Sequence, residues 1–217
     1  MRIGLEFEKK DAAKYISHLD LQRAFGRAIR RSSLPVKLSV GFNPHYMVSF
    51  ASALALGIES ECEIAEIVTD KSVLPDEFLS AMKASLPPGL YAKRALVLKD
   101  NAPKLAAAVR EAEYKVFIKD GSIDEIKNAV CDIMKSSEII ARKGGKDIDI
   151  RRMIIDLDLI GDSLLMRLEC SPSGTLRPDI LVNELKKRTA ISCRILRTGL
   201  FTVKGGKAAW LLTAFEK

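Results

Sequence analysis

SHLDLQRAFGRAIRRSSLPVKLSVGFNPH, residues 17–45, decides how the first half of this chain folds. Ser17 is a strong N-cap, and Asp20, three residues on, puts a carboxylate in the first turn, close to a capping box. Leu21, Phe25, Ala28 and Ile29 then recur at i, i+4, i+7 and i+8, one apolar stripe of a helix. Pro35 marks the helix exit. VKLSVGF, residues 36–42, alternates like a strand and stops at Asn43-Pro44, a turn signal. Upstream, RIGLEFE alternates Ile3, Leu5 and Phe7 with polar neighbours, which predicts a first strand. The chain therefore opens strand, helix, strand.

The same reading continues outward. CEIAEIVTD from Cys62 predicts a third strand, the segment from about Pro75 to Leu86 a helix closed by Pro87-Pro88-Gly89, and LYAKRALVLK from Leu90 a fourth strand. Between them, YMVSFASALALGIES reads as a short strand plus an Ω-like loop. The order is βαββαβ, the split βαβ or ferredoxin-like unit. After a poor linker the order recurs. EYKVFIKD is a strand, SIDEIKNAVCDIMKSS a helix with Ile126, Val130, Ile133 and Met134 on one face, and IIARKGGKDIDI an added hairpin. A hairpin about Gly161-Asp162, a helix after Arg177-Pro178 and a strand pair turning at Gly205-Gly206 complete it. The expected fold is α+β: tandem ferredoxin-like domains, antiparallel sheets with helices on one face. The first domain spans 1–100, a linker 101–111, and the second domain 112–217.

Composition sets limits. Hydrophobic content of 47% with 29% charged residues is that of a folded globular protein. No apolar run approaches the roughly 20 residues that span a bilayer. The N-terminus reads straight into a strand, with no signal-peptide pattern. Cys62, Cys131, Cys170 and Cys193 are widely spaced with no CxxC pair, as expected for reduced thiols in the cytoplasm. No metal or cofactor is expected. No GxSxG, HExxH or dinucleotide fingerprint is present. Lys143-Gly-Gly-Lys146 and Lys204-Gly-Gly-Lys207 lack the strand–helix setting of a phosphate loop and read as basic hairpin tips.

The net charge is +7, and its distribution says more than its size. Lys9, Lys10, Lys14, Arg23, Arg27, Arg30, Arg31 and Lys37 face only Asp11 and Asp20 between residues 9 and 45. From Tyr46 to Asp70 there is no Lys or Arg, while Glu59, Glu61, Glu63, Glu66 and Asp70 appear. Segregated charge makes an oriented field. Arg23, Arg27, Arg30 and Arg31 fall at i, i+4, i+7 and i+8, and guanidinium groups favour bidentate contact with phosphate or carboxylate. Three readings stay open for this face: a solvated exterior, an anion-binding surface suited to RNA, or a protein contact.

The chain's only histidines, His18 and His45, sit in turn-like polar spots. In a βαββαβ unit the start of the first helix and the end of the second strand share one edge, so His18, Asp20, Asn43 and His45 are expected along one rim. The helix N-terminus there offers free N–H groups to a phosphate. The histidines either cap and brace local structure, contact RNA phosphates, or act as an acid–base pair in metal-free RNA cleavage with Asp20 nearby. Two histidines and one Asp are too few for a metal centre. Phe42 and Tyr46 are the aromatics beside the rim for base stacking. Arg177, before a helix, is a further candidate anion contact.

Several of these stretches carry a resemblance. Ser17-His18-Leu19-Asp20, the arginine-rich helix with Leu34-Pro35, Gly41-Phe42-Asn43-Pro44-His45, Ser49-Phe50-Ala51, Leu56-Gly57, Arg177-Pro178-Asp179 and Arg197-Thr198-Gly199-Leu200 together resemble the uncharacterised radical-SAM-linked proteins, a domain of unknown function. The likeness covers most of the chain. Tyr46 stands where that family usually has proline, and Ile180 where an acid often follows Arg-Pro-Asp. Such domains occur fused to, or beside, a radical SAM enzyme with a cobalamin-binding-type domain. With no CxxxCxxC here, that enzyme would be a separate partner. The family brings no catalytic residue to transfer. The tandem arrangement is also similar to RNA-processing proteins of the CRISPR repeat-associated type, a likeness of fold alone.

The expectation is a cytoplasmic accessory protein that binds RNA (tRNA or ribosomal RNA) or presents it to a radical SAM enzyme. Arg23, Arg27, Arg30, Arg31 and Lys37 would hold phosphates, and His18, Asp20, Asn43 and His45 would meet the substrate. The alternatives are a metal-independent endonuclease using His18 and His45, and an adaptor that binds no nucleic acid.

Overall fold

The computed structural model describes all 217 residues except the side chain of Lys143. The fold is mixed α+β with antiparallel strand pairing dominant, in two compact units: Met1–Val109 with Leu200–Lys217, and Arg110–Gly199. The C-terminal segment from Leu200 packs with the first unit, whereas the sequence expectation groups it with residues 112–217.

The first unit runs β1 (Arg2–Lys9), α1 (His18–Ser32), β2 (Val48–Phe50), β3 (Glu59–Val68), α2 (Pro75–Ser85), β4 (Leu90–Val97) and a short α3 (Leu105–Ala108). β1 lies between β3 and β4 and is antiparallel to both, with Leu5 opposite Ala65 on one side and Ala95 on the other. β2 pairs antiparallel with β3, Val48 to Ile67 and Phe50 to Ala65. The alternation of β1 sends Ile3, Leu5 and Phe7 into the core, all fully buried, against Leu21, Phe25 and Ile29 of α1 and Phe78 and Met82 of α2. Phe25 stands at ring-centroid distances of 4.9 Å from Phe7 and 5.0 Å from Phe50. Each such buried side chain contributes about 1.5–3 kcal/mol of transfer free energy.

Two sequence expectations change here. VKLSVGF is no strand. Val36 makes only an isolated bridge to Thr69, and Leu38 only one to Tyr46. The chain turns back on itself, and the β3 edge at Ala65–Ile67 is taken by Val48–Phe50 instead. Residues 101–111 are also more than a linker. The Leu105 N–H donates to Glu66 Oε2 at 2.9 Å, and the Leu105 side chain is fully buried in the first unit.

The second unit carries β5 (Glu111–Asp120), α4 (Ile123–Lys135), the hairpin β6 (Ile140–Lys143) and β7 (Lys146–Asp149), β8 (Ile154–Ile160), β9 (Ser163–Ser171), β10 (Gly174–Thr175), α5 (Pro178–Lys186) and β11 (Ser192–Lys204), which continues past the unit boundary and turns into β12 (Lys207–Trp210) of the first unit. β9 lies between β8 and β5, antiparallel to both, and β5 neighbours β11. α4 starts on Ser122, whose hydroxyl accepts the Glu125 N–H at 3.4 Å, and buries Ile126, Val130 and Ile133. The side chain of Lys143, one of the expected basic tips, lies outside the described residues. Among the described residues no helix is long and apolar enough to cross a membrane.

Candidate functional site

Helix α1 starts as its sequence dictates. Ser17 Oγ accepts the Asp20 N–H at 3.1 Å and donates to Asp20 Oδ2 at 2.7 Å. Asp20 Oδ1 in turn accepts from Arg23 Nη1 at 3.1 Å. The Ser17 hydroxyl, and then Arg23, hold the Asp20 carboxyl below the usual aspartate range. A carboxylate therefore sits at this helix N-terminus, where the sequence had suggested a phosphate seat. The helix ends at Ser33, which takes the left-handed conformation (φ 55°) and turns the chain toward Leu34-Pro35.

The segment after Pro35 folds into a lobe. The Ser39 N–H donates to the His45 carbonyl at 2.8 Å, and the His45 N–H donates to Ser39 Oγ at 3.1 Å. The same hydroxyl lies 2.9 Å from His45 Nδ1, with the Asn43 carbonyl 3.5 Å from that nitrogen. Met47 N–H to the Lys37 carbonyl (2.8 Å) and Lys37 N–H to the Val68 carbonyl (2.8 Å) tie its base to β3. At its tip Val40 and Phe42 are fully exposed.

Between α1 and this lobe runs a cleft of about 740 Å³. Leu19, Gln22, Arg23, Gly26, Arg27 and Arg30 form the helix wall; Leu38, Pro44, His45, Tyr46 and Val48 form the other. The lining contains three arginines and no carboxylate. Arg27 and Arg30 are exposed and have no hydrogen-bond or ion-pair partner among the described residues. A smaller cleft of about 340 Å³ shares His45 and Val48 and reaches Glu66 and Lys104. Glu66 there is buried to 1% side-chain exposure and accepts from Arg2 Nε (2.9 Å), Lys104 Nζ (3.1 Å) and the Leu105 N–H (2.9 Å). Burial acts to raise its pKa, but these donors outweigh it and leave the carboxyl below the usual glutamate range.

The expected residues divide. Arg23, Arg27, Arg30 and His45 are brought together in one cleft. His18 is not in its lining: the ring packs edgewise on Phe50 at 5.4 Å, and Nε2 is 3.3 Å from Gln22 Nε2. Asp20 and Asn43 also lie outside it, the first serving the helix cap and the second the lobe. Arg31 leaves the arginine column. Eight residues of helix rotate it about 80° from Arg23, and its Nη2 donates to the Ser85 carbonyl at the end of α2, 2.6 Å away. Lys37 is exposed but does not line the cleft. Arg177 belongs to the second unit, where Nε and Nη2 grip the Asp179 carboxylate at 3.0 and 2.8 Å. Among the described residues no group of three or more His, Cys, Asp or Glu is placed to hold a metal ion. Sequence reasoning missed Leu19, Gln22, Gly26, Leu38, Pro44 and Val48 as cleft residues; a glycine inside an otherwise favourable helix was the available signal for Gly26.

None of the curated proteins matches the chain. Among solved structures, the crystal structure of an unknown protein from Galdieria sulphuraria is similar at 15% identity and a TM-score of 0.29, over 89% of this chain and 97% of that one. The family described as "Uncharacterized protein conserved in bacteria (DUF2344)" matches residues 2–178, which include α1, the lobe and the cleft between them. On that match, the chain belongs to the DUF2344 family.

Proposed function

We propose that the cleft between α1 and the lobe binds RNA, and that this cytoplasmic protein holds RNA for a separate radical SAM enzyme. One observation carries the reading. Arg23, Arg27 and Arg30 line one wall, His45 and Tyr46 the other, and no acid interrupts them. Guanidinium groups pair bidentately with phosphate, and a ring opposite them offers a face to a base. The partner enzyme is supported by the resemblance set out from the sequence. The strand orders, β4-β1-β3-β2 in the first unit and β11-β5-β9-β8 in the second, support a tandem of ferredoxin-like units.

Fluorescence anisotropy of the purified protein with labelled tRNA and a ribosomal RNA hairpin tests this. The wild type binds at low salt, and Arg23/Arg27/Arg30→Ala, with its thermal midpoint retained, does not. RNA recovered intact after incubation in EDTA separates holding from cleavage. Absence of binding to either RNA would refute the reading and turn attention to a protein partner, for which the exposed Val40 and Phe42 are the natural contact.

A further inference from the structure

Gly26 lies in the helix wall of the cleft, midway along α1, flanked by Gln22 and Arg23 one turn earlier and Arg30 one turn later. After proline, glycine is the poorest helix former, so a helix interior keeps one for a reason. The fold does not require it. A Cβ built at Gly26 meets no atom within 4 Å, and its φ lies outside the left-handed region. Gly89 is the contrast: its φ is +85°, and a Cβ there would come within 2.7 Å of the Ala13 Cβ. The space a side chain at Gly26 would fill is therefore the space of the cleft itself. Around it, Leu38, Pro44, Tyr46 and Val48 make an apolar and aromatic wall, and the arginines a cationic one.

A paired RNA stem meets proteins through its phosphates and 2′-hydroxyls across a shallow groove, and it would leave the apolar wall unused. A splayed nucleotide needs both walls, an apolar or aromatic face for the base and cations for the phosphate beside it. A volume of about 740 Å³ falls among clefts that enclose molecules of this size. Resting on the RNA reading above, we infer that the cleft takes an unpaired nucleotide of single-stranded RNA. Its base lies over the bare backbone at Gly26 against Tyr46 and Pro44, and its phosphates lie on Arg27 and Arg30. Gly26 sets the specificity by leaving room for the base.

The test compares wild type, Gly26→Ala, Gly26→Leu and Arg27/Arg30→Ala on two labelled probes, an oligouridylate and a blunt-ended, fully paired RNA duplex of matched charge. The wild type prefers the oligouridylate by about tenfold, the loss of about one base-stacking contact. Gly26→Leu forfeits that preference, while its thermal midpoint stays at or above the wild-type value; Gly26→Ala also melts higher and falls between the two in binding. Equal binding of both probes, unchanged by Gly26→Leu but weakened by Arg27/Arg30→Ala, overturns the single-strand inference and leaves RNA binding standing. Binding to neither probe at low salt overturns both.

Discussion

Ser39 and His45 hold each other at three points: Ser39 N–H on the His45 carbonyl at 2.8 Å, His45 N–H on Ser39 Oγ at 3.1 Å, and Ser39 Oγ beside His45 Nδ1 at 2.9 Å. This closes the lobe, whose His45 and Tyr46 line the same cleft as the arginines of α1.

Removing the hydroxyl with Ser39→Ala deletes two of those three contacts, worth about 1 kcal/mol each at most. The lobe is exposed and outside the core, so the global thermal midpoint stays within a degree or two. Amide hydrogen exchange across residues 40–46 accelerates, and RNA affinity falls severalfold because the second cleft wall is no longer fixed. Faster exchange with unchanged affinity would remove the lobe from the binding site.

Gly89 is fixed by the backbone of the 3₁₀ turn Asp11–Tyr15. Its φ is +85°, its carbonyl accepts the Lys10 N–H at 2.9 Å, and a Cβ would press on the Lys10 carbonyl at 2.8 Å. Gly89→Ala therefore destabilises the protein by about 2 kcal/mol or more, from left-handed strain and the clash together. Urea denaturation measures it. A midpoint equal to wild type would mean that the turn shifts freely.

How much of this was legible in the sequence follows from which interactions are local. The cap of α1 was readable because Ser17 and Asp20 satisfy it within four residues, and its buried stripe because Leu21, Phe25, Ala28 and Ile29 follow the helical period. The strand β1 was readable because Ile3, Leu5 and Phe7 alternate into one core. VKLSVGF misled for a physical reason: alternation signals an extended chain, but only a free sheet edge makes it a strand, and Val48–Phe50 occupies that edge. Val40 and Phe42, which alternate as a buried face would, end fully exposed. Arg31 misled because it lies at the edge of the arc, about 80° from Arg23, on the side where α2 presents the Ser85 carbonyl. The cleft depends on where the lobe folds back, which no local pattern encodes.

Glu66 anchors the base of the same unit by pairing with Arg2 and Lys104 from a buried position. Glu66→Gln leaves Arg2 without its anionic partner and costs about 3 kcal/mol, the low end for breaking a buried pair because both cations reach solvent. The pH dependence has a definite sign. The folded carboxyl titrates below its unfolded value, so its stabilisation is complete above the ordinary glutamate pKa and is lost as pH falls through the folded one. Denaturation midpoints measured from neutral pH into the acid range show that part of the slope in wild type and lack it in Glu66→Gln. Parallel profiles would refute the assignment.

The central claim is that Arg23, Arg27 and Arg30 meet phosphates. The most direct test is the salt dependence of RNA binding, read as the slope of log K against log salt for wild type and for Arg23/Arg27/Arg30→Ala. Each phosphate neutralised on a single strand contributes about 0.7 to the magnitude of that slope, so losing three contacts flattens it by about 2. That flattening, in a variant that melts like the wild type, is the predicted result. Identical slopes and affinities in the two proteins would contradict the account, since the cleft's arginines would then touch no phosphate.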